Sequence, residues 1–77
     1  MYVLYHNKDK CELKLSKASK VWERSVSNLI EGVPYCYNTL YTLCTDRKIL
    51  RQHAIEIKML WLAEAQMMVQ KIENIKI

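Results

Sequence analysis

From Asp46 to Ile75 the chain runs for 30 residues without a glycine or a proline. Within that run Leu50, Ala54, Ile57, Trp61, Ala65, Met68, Ile72 and Ile75 recur at steps of three or four, the spacing of one helix face. Leu60, Met67, Ile49 and Val69 widen the apolar stripe. Thr45-Asp46 supplies an N-cap, and Asp46 also suits the positive end of the helix dipole. A helix over 46–75 is therefore expected, about 45 Å long at 1.5 Å per residue.

That length limits what the rest of the chain can cover. A compact globule of 77 residues has a radius of gyration of about 11–12 Å. The remaining segments are too short to enclose so long a helix, so residues 60–75 need another macromolecule, a second copy or a different protein.

The expected fold is all-α, one domain over residues 1–77 with three helices at about 9–31, 34–44 and 46–75. Cys11, Leu15, Ala18, Trp22, Val26 and Leu29 space like a helix face, with Asn7 or Asp9 as the cap. Glu31-Gly32-Val33-Pro34 breaks that helix: Gly32 suits the left-handed residue past a helix end, and Pro34 the first turn of the next. Residues 35–44 are ambiguous, because Tyr and Thr also favour strands. Helix is preferred there, since a lone strand finds no obvious pairing partner elsewhere in the chain. A single Gly and a single Pro also speak against an all-β fold.

No constellation for catalysis emerges, and no enzyme activity, cofactor or small-molecule substrate is expected. Cys36 and Cys44 would lie about 12 Å apart along one helix, too far to share an ion. Cys11, Cys36 and Cys44 are read as small buried apolar side chains, with no metal site. A Cys44–His53 pair lacks an oxyanion hole or a strained glycine turn. His53 reads as a half-exposed flank residue, and His6 falls in a segment ahead of the first helix. An odd cysteine count, no basic residue before the short apolar run at 1–5, and no long uncharged apolar stretch point to a cytoplasmic protein without a membrane span.

Binding residues stand out instead. Tyr35 and Tyr41 are expected to be exposed contact residues, and Trp22 and Trp61 to be core. Leu60, Ala65, Met67, Met68, Ile72 and Ile75 form the expected partner surface, with the methionines pliable enough to adapt to it. The formal net charge is +4. Lys10, Lys14, Lys17, Lys20 and Arg24 would make one basic stripe on the first helix, and Arg47, Lys48 and Arg51 a second group at the start of the third. Either could meet a nucleic acid or an acidic protein.

The stretch Ala18-x3-Trp22-x2-Ser25, followed by Asn38 and Cys44, resembles the ANR family of small regulators controlled by AraC-type virulence activators in enteric bacteria. Ser25 and Tyr35 stand where that pattern has Ala and Trp. The resemblance spans about residues 14–46 and implies a helical protein that restrains virulence genes by binding an activator or a nucleoid protein such as H-NS. It implies no catalytic residues and would make Trp22 a core aromatic. The expected function is thus a non-enzymatic adaptor or regulator associating with itself, as a dimer, or with a regulatory protein. A small DNA-binding protein and a structural subunit of a helical complex are the alternatives.

Overall fold

The computed structural model describes residues 1–26 and 28–75; Ser27, inside the first expected helix, lies outside them. The fold is α+β, not all-α. Strands β1 (Tyr2–Asn7) and β2 (Glu12–Lys17) form a hairpin, and a short helix α1 (Lys20–Ser25) follows. A second hairpin, β3 (Tyr35–Cys36) and β4 (Tyr41–Cys44), leads into the long helix α2 (Arg47–Glu73). The four strands make one antiparallel sheet in the order β2-β1-β4-β3.

The expected first helix fails because Glu12-Leu13-Lys14-Leu15-Ser16-Lys17 alternates polar and apolar with period two. As a strand it turns Leu13 and Leu15 to one face, paired opposite His6 and Leu4 of β1. Asn7 and Cys11 make the connecting turn. The Asn7 side chain accepts from the Lys10 amide at 3.2 Å, and Cys11 takes a φ of 54°. Asn7 therefore ends a strand, and Asp9 lies in the turn after it, instead of capping a helix. Only Lys20–Ser25 remains helical, and there the Ser25 hydroxyl donates back to the Val21 carbonyl at 2.8 Å.

The expected second helix is likewise a hairpin. Its strand β4 does have partners: Tyr2, Val3, Leu4 and Tyr5 of β1 lie opposite Cys44, Leu43, Thr42 and Tyr41. These residues are about 40 positions apart, a separation no local pattern reveals. Asn38 closes the turn, its side-chain oxygen accepting from the amides of Leu40 and Tyr41, both at 2.8 Å. Pro34 precedes the edge strand β3, a position where a missing N–H is tolerated.

Strand alternation gives the sheet two apolar faces. Leu4 and Cys44 pack with Leu50 of α2, flanked by Tyr2, Leu13, Leu15, Ala54 and Ile57. Val3, Ala18 and Leu43 pack on the opposite side with Met1, Trp22, Val26, Leu29 and Tyr41. Cys44 is buried as expected, but Cys11 and Cys36 are exposed. Both of those sit at or beside hairpin turns, where the helical placement would have hidden them.

Helix α2 occupies nearly the residues expected of the third helix. The Asp46 carboxylate caps it, accepting from the amides of Lys48 at 2.8 Å and Ile49 at 3.5 Å. At 27 residues it is about 40 Å long, whereas a six-residue strand covers about 20 Å. The sheet therefore covers only its first half. The molecule measures 56 × 19 × 18 Å with a radius of gyration of 15.8 Å, well above that of a compact chain of this length.

Candidate interaction surface on the long helix

Three side chains of α2 are seated on the sheet. Leu50 is fully buried, and Ala54 and Ile57 are partly buried against the same cluster. One turn further on, half-buried Trp61 borders a hollow shared with Lys8 and Cys11 at the tip of the β1–β2 hairpin. There the Lys8 ammonium donates to Oε2 of Glu64. Beyond Glu64 none of the sheet's apolar clusters reaches the helix.

The apolar stripe nevertheless continues past that point. Met68, Ile72 and Ile75 stand 57%, 62% and 66% exposed. Ala65, exposed on the same stripe, keeps it unbroken between Trp61 and Met68. Leu60 and Met67 flank it on one side, and Leu62 and Val69 on the other, all more than half exposed. Gln52, Glu56, Gln66 and Gln70 occupy the far side of the helix. Between Met59 and Ile75 the charged residues are Glu64, Lys71 and Glu73. Near the hairpin tip the stripe borders an open hollow lined by Lys8, Cys11, Trp61, Ala65 and Met68.

The expected partner residues thus separate into two groups. Leu60, Ala65, Met67, Met68 and Ile72 gather on one uncovered length of α2, and Ile75 follows in the turn just past its end, its amide donating to the Ile72 carbonyl. Tyr35 and Tyr41 do not join them. Tyr35 is exposed on β3, the strand at the opposite edge of the sheet from β2. Tyr41 is half-buried, its ring 5.0 Å from Trp22 and 5.4 Å from Tyr5, so it belongs to the core. The Trp22 ring also meets Tyr37 edge-on at 5.2 Å. Val69, which widens the expected stripe, and Leu62, which steps of three and four from Trp61 pass by, border the same length but stand outside the expected partner surface.

The basic residues are redistributed more thoroughly. Lys10 lies in the β1–β2 turn, Lys14 and Lys17 fall on opposite faces of β2, and Lys20 and Arg24 belong to α1. All are exposed, but no single stripe forms, because the helix that would have aligned them is a strand, a break and one short helix. Arg47, Lys48 and Arg51 do share the start of α2. Arg47 and Arg51, with Lys58, line an open groove against edge strand β2 whose floor includes Leu13, Leu15 and Ala54. Lys58 was overlooked, although its steps of 11 and 7 from Arg47 and Arg51 place all three on one side of the helix. Lys48 faces a separate hollow with Glu31 and Gly32.

The two histidines face each other across the covered half. His6 lies in β1, and its Nε2 is 3.0 Å from the hydroxyl of buried Thr42. Burial lowers the His6 pKa below its usual value, and nearby His53 of α2 lowers it further; a backbone hydrogen bond involving Thr39 opposes both. Among the described residues no group of three His, Cys, Asp or Glu could hold a metal, and no helix is long and apolar enough to cross a membrane.

No protein-family model matches the chain, and no curated protein or solved structure shows significant similarity to it.

Proposed function

We propose that this protein acts by binding another protein through residues 62–75, the second half of α2 and the turn that ends it, as a non-enzymatic adaptor or regulator in the cytoplasm. One observation carries the reading: an apolar stripe that forms the core at Leu50 continues without interruption into a length of helix that no apolar cluster among the described residues covers. Contiguous apolar surface of this kind, rimmed by glutamines and a few charges, marks interaction sites in water-soluble proteins. Its amphipathic helical form suits a helical partner, whose side chains would interleave with Met68 and Ile72.

The resemblance to the ANR family would make that partner a transcriptional activator or nucleoid protein. The residues carrying the resemblance have structural duties here: Trp22 packs on the sheet, Cys44 of β4 is buried with Leu50 of α2, and Asn38 closes a turn. The helical fold implied by the resemblance is also not the fold of this chain. We therefore rest the proposal on α2 alone.

The test is site-specific photocrosslinking. A benzophenone amino acid replacing Met68 should give covalent protein adducts in cells, and the same group replacing Gln52, exposed on the far side of the helix, should not. Adding Ile72→Asp should remove the adducts. Absence of adducts at 68, or equal adducts at both positions, would refute the reading.

A second reading, contact with a polyanion, is favoured by the position of Arg47, Lys48 and Arg51. Cations at a helix N-terminus oppose the macrodipole, so helix stability does not account for them. Duplex DNA binding that weakens steeply with salt and is lost in a combined Arg47→Gln, Arg51→Gln, Lys58→Gln variant would support this reading. Absence of binding at low salt would dismiss it.

A further inference from the structure

We infer that the partner of the uncovered half of α2 is a second copy of this chain, docked antiparallel about a two-fold axis between Met67 and Met68; the inference rests on the binding role proposed above.

The chain carries a net charge of +4, so two copies brought together at random repel. The stretch 59–75 differs: its two carboxylates, Glu64 and Glu73, and one ammonium, Lys71, leave it at −1. Like-charge repulsion is therefore least along the one length of helix that is both apolar and uncovered.

Register follows from the placement of those charges. Glu64 and Lys71 are seven residues apart, two helical turns, and so lie on the same flank of the stripe. Their midpoint falls between Met67 and Met68. A two-fold axis through that point, perpendicular to the helix, sets Glu64 of each copy level with Lys71 of its partner and forms the same ion pair twice. Parallel pairing in register would oppose Glu64 to Glu64 and Lys71 to Lys71. Antiparallel docking is thus the arrangement whose flanking charges are complementary.

The same axis places the apolar side chains well. Met68 meets its symmetry mate near the centre, where unbranched side chains adapt to one another, and Met67 lies further out on the side that carries Glu64 and Lys71. Ala65, one turn away, leaves room for close approach of the helices. The overlap extends about 20 Å from the Trp61 level to the Asn74 level, and it takes in the roughly 14 Å of α2 left bare beyond Glu64. The contact made by Lys8 does not block the pairing. It uses Oε2 of Glu64, leaving the second carboxylate oxygen to accept from the partner's lysine.

The experiment is light scattering of the full chain, kept reduced because Cys11 and Cys36 are exposed, from micromolar to millimolar concentration. The expected mass is twice the 9.2 kDa of one chain. Glu64→Lys and Lys71→Glu should each weaken self-association by about tenfold, since each sets like charges opposite one another. An equimolar mixture of the two should recover the dimer, because each then meets its complement, and so should the chain carrying both changes. Lys71→Glu leaves the Lys8 contact intact and separates pairing from any effect on the hairpin tip. A dimer indifferent to both single changes would overturn the register. A monomer at every concentration would overturn self-pairing, and photoadducts of position 68 with a different protein would then still uphold the broader binding role.

Discussion

Two halves of one helix can be compared directly. In α2, the first half carries Leu50, Ala54 and Ile57 on the sheet, and the second carries Ala65, Met68 and Ile72 on what would be the same stripe. Pattern and propensity are alike, yet Leu50 is fully buried whereas Ile72 is 62% exposed. The difference lies in the neighbours. A short hairpin can cover about 20 Å of helix and no more. An apolar stripe therefore says that a helix face is meant to be covered, and only the tertiary fold says whether the cover comes from the same chain.

The comparison breaks most readily by truncating one side chain in each half. Leu50→Ala empties a site with no exposure and should cost about 3–5 kcal/mol, a large share of the stability of so small a domain. Ile72→Ala should change the unfolding free energy of the dilute chain by less than about 0.5 kcal/mol while weakening self-association. Urea unfolding at low protein concentration, set beside light scattering of the same variants, checks both. A comparable loss of stability from both substitutions would mean that the halves are not distinct.

The next effect is smaller and belongs to the covered end. Asp46→Ala removes the acceptor of two amide hydrogen bonds and should cost about 1 kcal/mol, read from the urea midpoint. This cap, like α2 itself, was legible from the sequence, since helix ends and stripes are local. The Gly32–Pro34 break was also legible, and Gly32 does adopt a φ of +73°. What it separates was not. Leu13 and Leu15 satisfy period two, but Leu15 also fits a three-and-four series through Cys11, Ala18 and Trp22, and that longer series outweighed the shorter alternation. Strand β4 needed its partner 40 residues upstream to be recognised. Of the candidate surface, the five residues on α2 were readable because they continue a helix pattern, whereas the helix stops at Glu73, short of Ile75. Tyr41 was misread because an aromatic residue on a strand packs or projects according to what the opposite layer provides, here Trp22.

Acidification offers a way to sharpen the comparison without mutation. The His6 pKa is lowered in the folded chain, first by burial and then by His53. Its neutral form is therefore the one the fold favours, and the unfolded chain takes up a proton at higher pH. Stability from this source is fully present above the ordinary histidine value of 6.5 and declines as pH falls through 6.5 towards the lowered value. Unfolding midpoints should fall between pH 7.5 and pH 5.5, and His6→Gln should flatten that slope. Residues 62–75 contain no histidine, so dimerisation should hold steady over the same range. A parallel loss of dimer would show that the halves are coupled.

The smallest effect is expected where the halves meet. Lys8 at the hairpin tip binds Glu64, the first charged residue past Trp61, and both side chains are well exposed at 60% and 41%. Solvent screens such a pair, and ordering two long side chains offsets most of what remains, so Lys8→Gln should shift stability by less than about 0.5 kcal/mol. Its influence on association has a definite sign. The Lys8 ammonium partly neutralises the carboxylate that a partner's Lys71 would approach, so removing it should strengthen the dimer slightly, and more at low salt than at high. Sedimentation of Lys8→Gln beside the unaltered chain at two ionic strengths reads this directly. If the dimer weakened instead, Lys8 would be holding Glu64 in position for its partner, and the hairpin tip would have to be counted as part of the interface.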